Sequence, residues 1–104
     1  MLFIETTIFT HEIKQLLPDS HYRMLQMALS LRPDTGDLIR GGGGLRKLRW
    51  NSPGAGKRGS LRVIYSWDRP DTVFMLFAYK KNRQENLTPQ QIRLLSALVE
   101  EWLS

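Results

Sequence analysis

The chemically most distinctive part of the chain is a basic, glycine-rich segment in its middle. The stretch from Arg40 to Arg62 holds seven of the fifteen Lys and Arg residues and seven of the eight glycines. No Asp or Glu occurs from Leu38 to Trp67, so no carboxylate nearby in the sequence offsets this charge. Cations neutralise phosphates, and glycines let the backbone approach a ligand closely. The segment therefore indicates RNA or DNA as the first partner to consider.

A cluster of Arg and Lys side chains can also cleave RNA without a histidine or a metal ion. When the ribose 2′-hydroxyl attacks the adjacent phosphate, charge builds on the non-bridging oxygens, and guanidinium groups can stabilise it in place. A lysine whose pKa is lowered by cationic neighbours can take part in the proton transfer. Such a site would gain from a partner that holds the RNA in attacking geometry.

A second group of candidate residues lies at the end of the last predicted strand. Tyr79 ends that strand, and Lys80, Lys81 and Arg83 follow it closely. If this strand pairs with the one that carries Arg62, these cations can meet the loop from Pro53 to Gly59, the glycine-rich loop, at one rim of the sheet. Tyr79 is equally consistent with a ring that stacks on an unpaired base and with an aromatic side chain at the edge of the core.

The rest of the composition argues against several other chemistries. The chain has no cysteine, which excludes disulfides, thiol nucleophiles and cysteine-based zinc sites. No two acids combine with His11 or His21 at metal-ligand spacing, and Gly41–Gly44 lacks the Gly-Lys-Ser/Thr ending of a nucleotide-binding loop, so we expect no metal and no cofactor. No apolar run is long enough to span a membrane, and the first residues lack the basic start of a signal peptide. We therefore expect a soluble, cytoplasmic protein without a membrane partner.

The length of 104 residues predicts one domain, residues 1–104, and its first half predicts one strand and two helices. Leu2–Glu5 is short and apolar, as is typical of an edge strand, and Phe9–Leu17 predicts a short helix that the following proline closes. Asp19 or Ser20 is predicted to cap a second helix that runs to about Leu31.

The second half predicts three strands and a final helix. Leu45–Trp50, Leu61–Trp67 and Thr72–Lys80 are separated by short connections and predict an antiparallel meander. Thr88–Gln91 combines a capping residue, a proline at the first helical position and a glutamine three residues after the cap. The predicted fold is α+β: a small antiparallel sheet of about four strands, with two N-terminal helices and one C-terminal helix.

Several short motifs, taken in order along the chain, resemble a known family of proteins. They are Phe3–Phe9, Gly43–Arg49, Gly54–Gly59, Arg62–Tyr65, Tyr79–Asn82 and Asn86–Thr88. Together they resemble the RelE superfamily of bacterial toxins, and more closely its HigB-like branch. The resemblance runs from about Phe3 to the end of the chain.

The resemblance implies a RelE-like fold with helices packed on one face of a small antiparallel sheet. It also implies an mRNA endonuclease that acts in the ribosomal A site and thereby inhibits translation. Its partners would be the ribosome, the mRNA and a cognate antitoxin, often one with a helix-turn-helix domain. Metal-independent cleavage by Arg and Lys residues would require no cofactor.

The family's active-site positions fall on five residues of this chain. These are Lys57, Arg58, Arg62, Tyr79 and Lys81. Arg62 would stabilise the transition-state charge, Lys57 or Lys81 would transfer protons, and Tyr79 would stack on a base. Because the chain has Lys80 where relatives commonly have a small residue, Lys80 is a third candidate for the general base. Further RNA contacts are expected from Arg40, Arg46, Lys47, Arg49, Lys80 and Arg83.

Two other functions remain open on the sequence. ParE-like members of the superfamily resemble this fold but poison DNA gyrase instead of cutting RNA. A non-catalytic RNA-binding module would need only the same basic loop. Arg62 and Lys81 favour the nuclease.

Overall fold

Eight elements follow one another in the computed structural model, which describes residues 1–51 and 60–103. The described elements are β1 (Leu2–Glu5), α1 (Thr7–Leu16), α2 (Asp19–Leu31), β2 (Asp37–Leu38), β3 (Leu45–Trp50), β4 (Leu61–Asp68), β5 (Thr72–Lys80) and α3 (Pro89–Leu103). The predicted α+β class, the three helices and the meander β3–β4–β5 are confirmed, with ends that agree within two residues.

The sheet has five strands in the order β1-β5-β4-β3-β2, so the prediction of about four antiparallel strands needs two corrections. First, β1 pairs with β5 in parallel, at the edge where the sequence placed it. Second, β2 is a two-residue strand whose Asp37 and Leu38 lie opposite Lys47 and Arg46. A strand of two residues is too short to show a period of two, which is why the sequence pattern did not reveal it.

The glycine run forms the turn that brings β2 back against β3. Gly41 and Gly44 have φ values of 72° and 99°, which a residue with a Cβ adopts only with strain. The backbone N–H of Ile39 donates to the carbonyl of Leu45 at 2.9 Å and closes the turn. The Oγ of Ser96 donates to the Gly42 carbonyl at 2.6 Å and ties the turn to α3. The run therefore has a role in shaping the chain.

Helices cover both faces of the sheet, whereas the family resemblance implied one. Phe9 of α1 and Leu25 and Leu29 of α2 are fully buried in one core cluster, which includes Val63 of β4. Val99 of α3 belongs to a second cluster, on the other face, with Leu45, Ile64, Phe74, Leu76, Tyr79 and Leu87. The central strands carry apolar residues on both faces, and each apolar face must be covered. The face under α1 and α2 is called the closed face below, and the face under α3 the basic face.

The three helix starts differ in how their first amides are satisfied. Thr6 precedes α1, and its Oγ1 accepts from the Phe9 N–H at 2.9 Å. The predicted cap of α2 is wrong: Pro18, not Asp19 or Ser20, occupies the cap position, without a side-chain hydrogen bond. Its extended backbone places Asp19 already inside the helix. The predicted capping box of α3 is confirmed, because Thr88 and Gln91 bond to each other's backbone N–H at 3.1 and 2.9 Å.

Candidate functional site

Three predicted site residues lie side by side on the basic face. Arg62 of β4 is directly opposite Arg49 of β3 on one side and Tyr79 of β5 on the other. Directly opposed side chains in antiparallel strands have Cβ atoms about 4.5–5.5 Å apart. Arg49, Arg62 and Tyr79 therefore form one row across three strands, and this row is called the basic row below.

A β-bulge in β5 is what places Tyr79 in the basic row. Ile64 pairs with Phe77, but the next residue of β4, Tyr65, pairs with Met75, so Leu76 is an extra residue. One extra residue reverses the alternation of side chains beyond it. Met75 lies on the closed face, and without the bulge Tyr79 would lie there too. The sequence did not reveal this, because Val73 to Ala78 is continuously apolar and shows no break in phase.

Arg62 is a buried cation. Its side chain is 6% exposed, and Nη1 donates to Ser60 Oγ at 2.8 Å and to the Leu61 carbonyl at 3.3 Å. In the part of the chain that the structure describes, no carboxylate pairs with it. Burying a guanidinium without a counter-ion costs free energy, and a bound anion would recover part of that cost. The surroundings of Arg62 therefore fit a phosphate better than a purely structural role.

The hydroxyl group of Tyr79 is also unsatisfied. The side chain is 6% exposed, its ring packs 5.6 Å from the Phe77 ring at 37°, and its OH has no hydrogen-bond partner among the described residues. Burial raises the pKa of Tyr79 above its ordinary 10.0, and the positive charge of Arg62 offsets only part of this rise. The phenol is therefore protonated at neutral pH, and its free hydroxyl can donate a hydrogen bond to an anion near Arg62.

A set of hydrogen-bonded side chains around Lys47 borders the basic row. Lys47 lies opposite Ile64, one row along from Arg62 on the same face, and its Nζ donates to Asn86 Oδ1 at 3.0 Å. Gln84 Nε2 in turn donates to the Asn86 carbonyl at 2.8 Å and to Gln91 Oε1 in the capping box of α3. The turn after β5 thus holds Lys47 in place. The sequence pointed to Asn86 only as part of a motif and missed this contact.

The structure separates other predicted RNA-binding residues from the basic row. Arg46 lies on the closed face, where Nη1 donates to the carbonyls of Asp34 and Gly36 at 3.0 and 2.8 Å. The same loop is held by the Tyr65 hydroxyl, which accepts from the Gly36 N–H and donates to the Pro33 carbonyl, both at 2.8 Å. Arg46 therefore has a structural role in the free protein.

The predicted cations at the end of β5 and after it lie in different surroundings. Lys80 pairs with Leu61 and shares the closed face with it, so alternation directs it away from the basic row. Lys81 is exposed, and its backbone N–H donates to the Ser60 carbonyl at 3.1 Å. Ser60 lies two residues before Arg62, and its Oγ accepts a hydrogen bond from Arg62. Arg40 and Arg83 are exposed on loops. Lys57 and Arg58 lie outside the described residues.

The site offers cations and hydrogen-bond donors and little else. Among the described residues no three His, Cys, Asp or Glu side chains converge as metal ligands. Nor is any of the described helices long and apolar enough to cross a membrane. For chemistry the basic row offers the charges of Arg49 and Arg62 and the Tyr79 hydroxyl, with lysines nearby.

A model of a known protein family matches this chain. The family model described as the RelE toxin of the RelE / RelB toxin-antitoxin system matches residues 11–104. This match covers most of the chain. The chain therefore belongs to the RelE toxin family and is the toxin of a toxin–antitoxin system, with an antitoxin as its partner.

Proposed function

We propose that this RelE-family toxin is an endonuclease that cuts mRNA in the ribosomal A site and so arrests translation. The observation that carries the proposal is the buried Arg62, which has no described carboxylate partner and lies in one row with Arg49 and Tyr79. The motifs along the chain favour the HigB-like branch of the superfamily. We also propose that the antitoxin carries a helix-turn-helix domain, as the resemblance implies.

The proposed reaction is attack of the ribose 2′-hydroxyl on the adjacent phosphate. The bond from O2′ to phosphorus forms and the bond from phosphorus to O5′ breaks, which leaves a 2′,3′-cyclic phosphate and a 5′-hydroxyl. Arg62 stabilises the charge on the non-bridging oxygens, and Arg49 and the Tyr79 hydroxyl bind the same group from either side. The positions of these three residues in one row support this division of roles.

Proton transfer falls to the lysines. A base removes the proton of the 2′-hydroxyl, and an acid protonates O5′ as it leaves. Lys81 is the first candidate among the described residues because its backbone is paired with Ser60, beside Arg62. Lys57 and Arg58 keep their proposed roles in the glycine-rich loop, and Lys47 is proposed to bind a neighbouring phosphate. The ribosome contributes by holding the RNA in attacking geometry.

Growth arrest and RNA cleavage by variants of Arg62 test the proposal. Wild type and Arg62→Ala are induced in bacteria, and mRNA 5′ ends are mapped with translation active and with translation blocked. Arg23→Ala is the matched control, because it removes one positive charge from the exposed surface of α2. We expect translation-dependent cuts inside reading frames with wild type and with Arg23→Ala. Arg62→Ala should reduce cleavage about 10²–10³-fold, the effect of removing one transition-state donor.

The outcomes separate the three functions. Arg62→Ala must still bind the antitoxin, which shows that it is folded. A folded Arg62→Ala protein that remains fully toxic would contradict the role of Arg62. Growth arrest with intact mRNA would instead favour gyrase inhibition, and RNA binding without arrest or cleavage would favour a non-catalytic module.

A further inference from the structure

A groove on the other side of β5 from the basic row is not used by the proposed cleavage site. It has a volume of about 450 Å³, which is in the range of pockets for small ligands. The lining residues are Glu12, Gln15, Leu16, Ala78, Tyr79, Lys80, Asn82 and Arg83. They come from α1, from the last residues of β5 and from the turn that follows.

The groove exists because β1 is shorter than β5. Pairing between them ends at Glu5 and Met75, while β5 continues to Lys80. Beyond that point, side chains at and after the start of α1 replace the missing strand. Thr6 Oγ1 donates to the Leu76 carbonyl at 2.9 Å, and Glu12 Oε1 accepts from the Ala78 N–H at 3.5 Å. The rest of this edge of β5 faces the groove.

Glu12 is the carboxylate in this groove. Burial raises its pKa, whereas the Ala78 N–H and the charge of His11 lower it. Its one described hydrogen bond is long, at 3.5 Å, so both oxygens have free acceptor capacity. A partly desolvated carboxylate with free acceptors is stabilised by a ligand that presents N–H groups.

The remaining polar groups favour a ligand that also carries a phosphate. Lys80 and Arg83 line the groove with two positive charges, and Gln15 and Asn82 add amides. A simple anion would be repelled by Glu12, and a basic peptide would be repelled by the two cations. A nucleotide suits both the carboxylate and the cations, because its phosphate binds the cations and the N–H groups of its base donate to the carboxylate.

The position of the groove connects it to the basic row. Tyr79 belongs to the basic row and also lines the groove. An RNA strand that places its scissile phosphate at Arg62 can therefore continue around the end of β5. The base next to that phosphate would then lie on the Glu12 side of Tyr79.

We propose that this groove binds one unpaired guanine next to the cleaved phosphate, with Glu12 accepting from the guanine N1–H and N2–H. Guanine fits best because these two donors lie side by side and match the two oxygens of a carboxylate. Lys80 and Arg83 bind the flanking phosphate. The inference rests on the proposed function and adds a determinant of where the toxin cuts.

Cleavage on programmed ribosomes tests the base preference. The mRNAs differ in a single base beside the cleaved bond, and wild type is compared with Glu12→Gln. Glu100→Gln is the matched control, because it makes the same change at an exposed position of α3. We expect wild type and Glu100→Gln to cut best beside guanine. Glu12→Gln should lose about tenfold of that preference, within the range for a bidentate contact, and keep its rate beside other bases.

Binding without the ribosome separates this inference from the proposed function. Labelled RNA tetranucleotides containing guanosine, inosine, adenosine, cytidine or uridine are titrated against the purified toxin at low salt. Guanosine should bind tightest, inosine should bind more weakly because it lacks the N2 amino group, and Glu12→Gln should remove the difference. Lys80→Ala should weaken binding of all five without changing their order, and the loss should shrink at high salt.

Each outcome supports or overturns the assignment. If all five tetranucleotides bind wild type equally, the guanine site is wrong even where cleavage occurs. If guanosine is preferred but no RNA is cut, the groove assignment stands and the proposed nuclease fails. If Glu12→Gln weakens antitoxin binding and leaves base preference unchanged, the groove belongs to the antitoxin. Thermal melts identify any variant that fails to fold, and Glu12→Asp then replaces Glu12→Gln.

Discussion

On the closed face, polar side chains between the elements bond to one another, whereas the basic face buries a cation without a described carboxylate. Glu5 on the closed face accepts from both Thr10 and Tyr22 at 2.6 Å and so joins β1, α1 and α2. On the basic face, Arg62 bonds only to neutral groups and the Tyr79 hydroxyl bonds to nothing described. The polar groups of the closed face therefore link its elements, whereas the basic face has donors that the proposed RNA ligand would use.

The two faces differ in whether a charged group is left unpaired, because both contain buried polar groups without a hydrogen-bond partner among the described residues. The indole N–H groups of Trp50 and Trp67, which pack against the closed face, also lack partners in the described part of the chain. An unpaired neutral N–H costs much less than an unpaired guanidinium. Arg62 is the only charged side chain among the buried residues of the described chain. The cost of burying a charge is therefore concentrated, among the described residues, on the basic face.

The largest expected effects on stability come from replacing a leucine by alanine, once on the closed face and once on the basic face. Leu25→Ala removes a fully buried side chain of the closed face and should lower the free energy of unfolding by about 2–5 kcal/mol. Leu95→Ala removes a half-buried side chain of α3 and should cost about 1–2 kcal/mol. Urea unfolding of both variants measures the two losses. Equal losses would contradict the expectation that the deeper burial of Leu25 makes its side chain the more stabilising of the two.

A smaller effect is expected from the hydrogen bond between Tyr22 and Glu5. Tyr22→Phe keeps the ring packed 5.9 Å from Phe9 but removes the donor to Glu5, and should cost about 1–2 kcal/mol. Burial and the bond to Glu5 raise the pKa of Tyr22 above its ordinary 10.0. The stability that this phenol contributes is therefore fully present below pH 10 and is lost as the pH rises above it.

Unfolding curves at pH 7, 9 and 11 check the sign. Wild type should lose more stability than Tyr22→Phe between pH 9 and pH 11. In wild type the phenol of Tyr22 ionises more easily in the unfolded chain than in the folded one, which favours unfolding, and the variant has no phenol at this position. Parallel losses in the two proteins would show that Tyr22 is not the group responsible.

The smallest effect on stability is expected on the basic face, at Tyr79. Because its hydroxyl has no described partner, Tyr79→Phe should change the free energy of unfolding by less than about 0.5 kcal/mol. Cleavage on ribosomes should nevertheless fall about 10²-fold, at the lower end of the range for one lost transition-state donor. Tyr22→Phe is the converse control, with a loss of stability and unchanged cleavage. A large destabilisation by Tyr79→Phe would mean that the hydroxyl has a structural partner after all.

Alternation along single strands could be read from the sequence, and the alignment between strands could not. The pattern around Leu61 and Val63 placed Arg62 on the opposite face, and the structure confirms it. The pairing of Arg62 with Arg49 and Tyr79 depends on which residues face each other across strands, and apolar patterns do not fix that. The groove at Glu12 was missed for the same kind of reason, because it depends on the different lengths of β1 and β5.

Local signals succeeded where the chemistry is local. The capping box of Thr88 and Gln91 involves residues three apart and was predicted correctly. The start of α2 was not, because Pro18 and Asp19 are both compatible with a first turn and the tertiary structure decides between them.

The extra residue at Leu76 also affects how this chain is compared with its relatives. A relative with one residue fewer in β5 would keep an aromatic residue beside the buried arginine only if that residue came one position earlier. An alignment gap belongs at the bulge in such a case, and a gap placed in the following turn would equate Tyr79 with a residue of the opposite face. An insertion or deletion in this strand can therefore move Tyr79 to the other face of the sheet while the residue types of the proposed site stay the same.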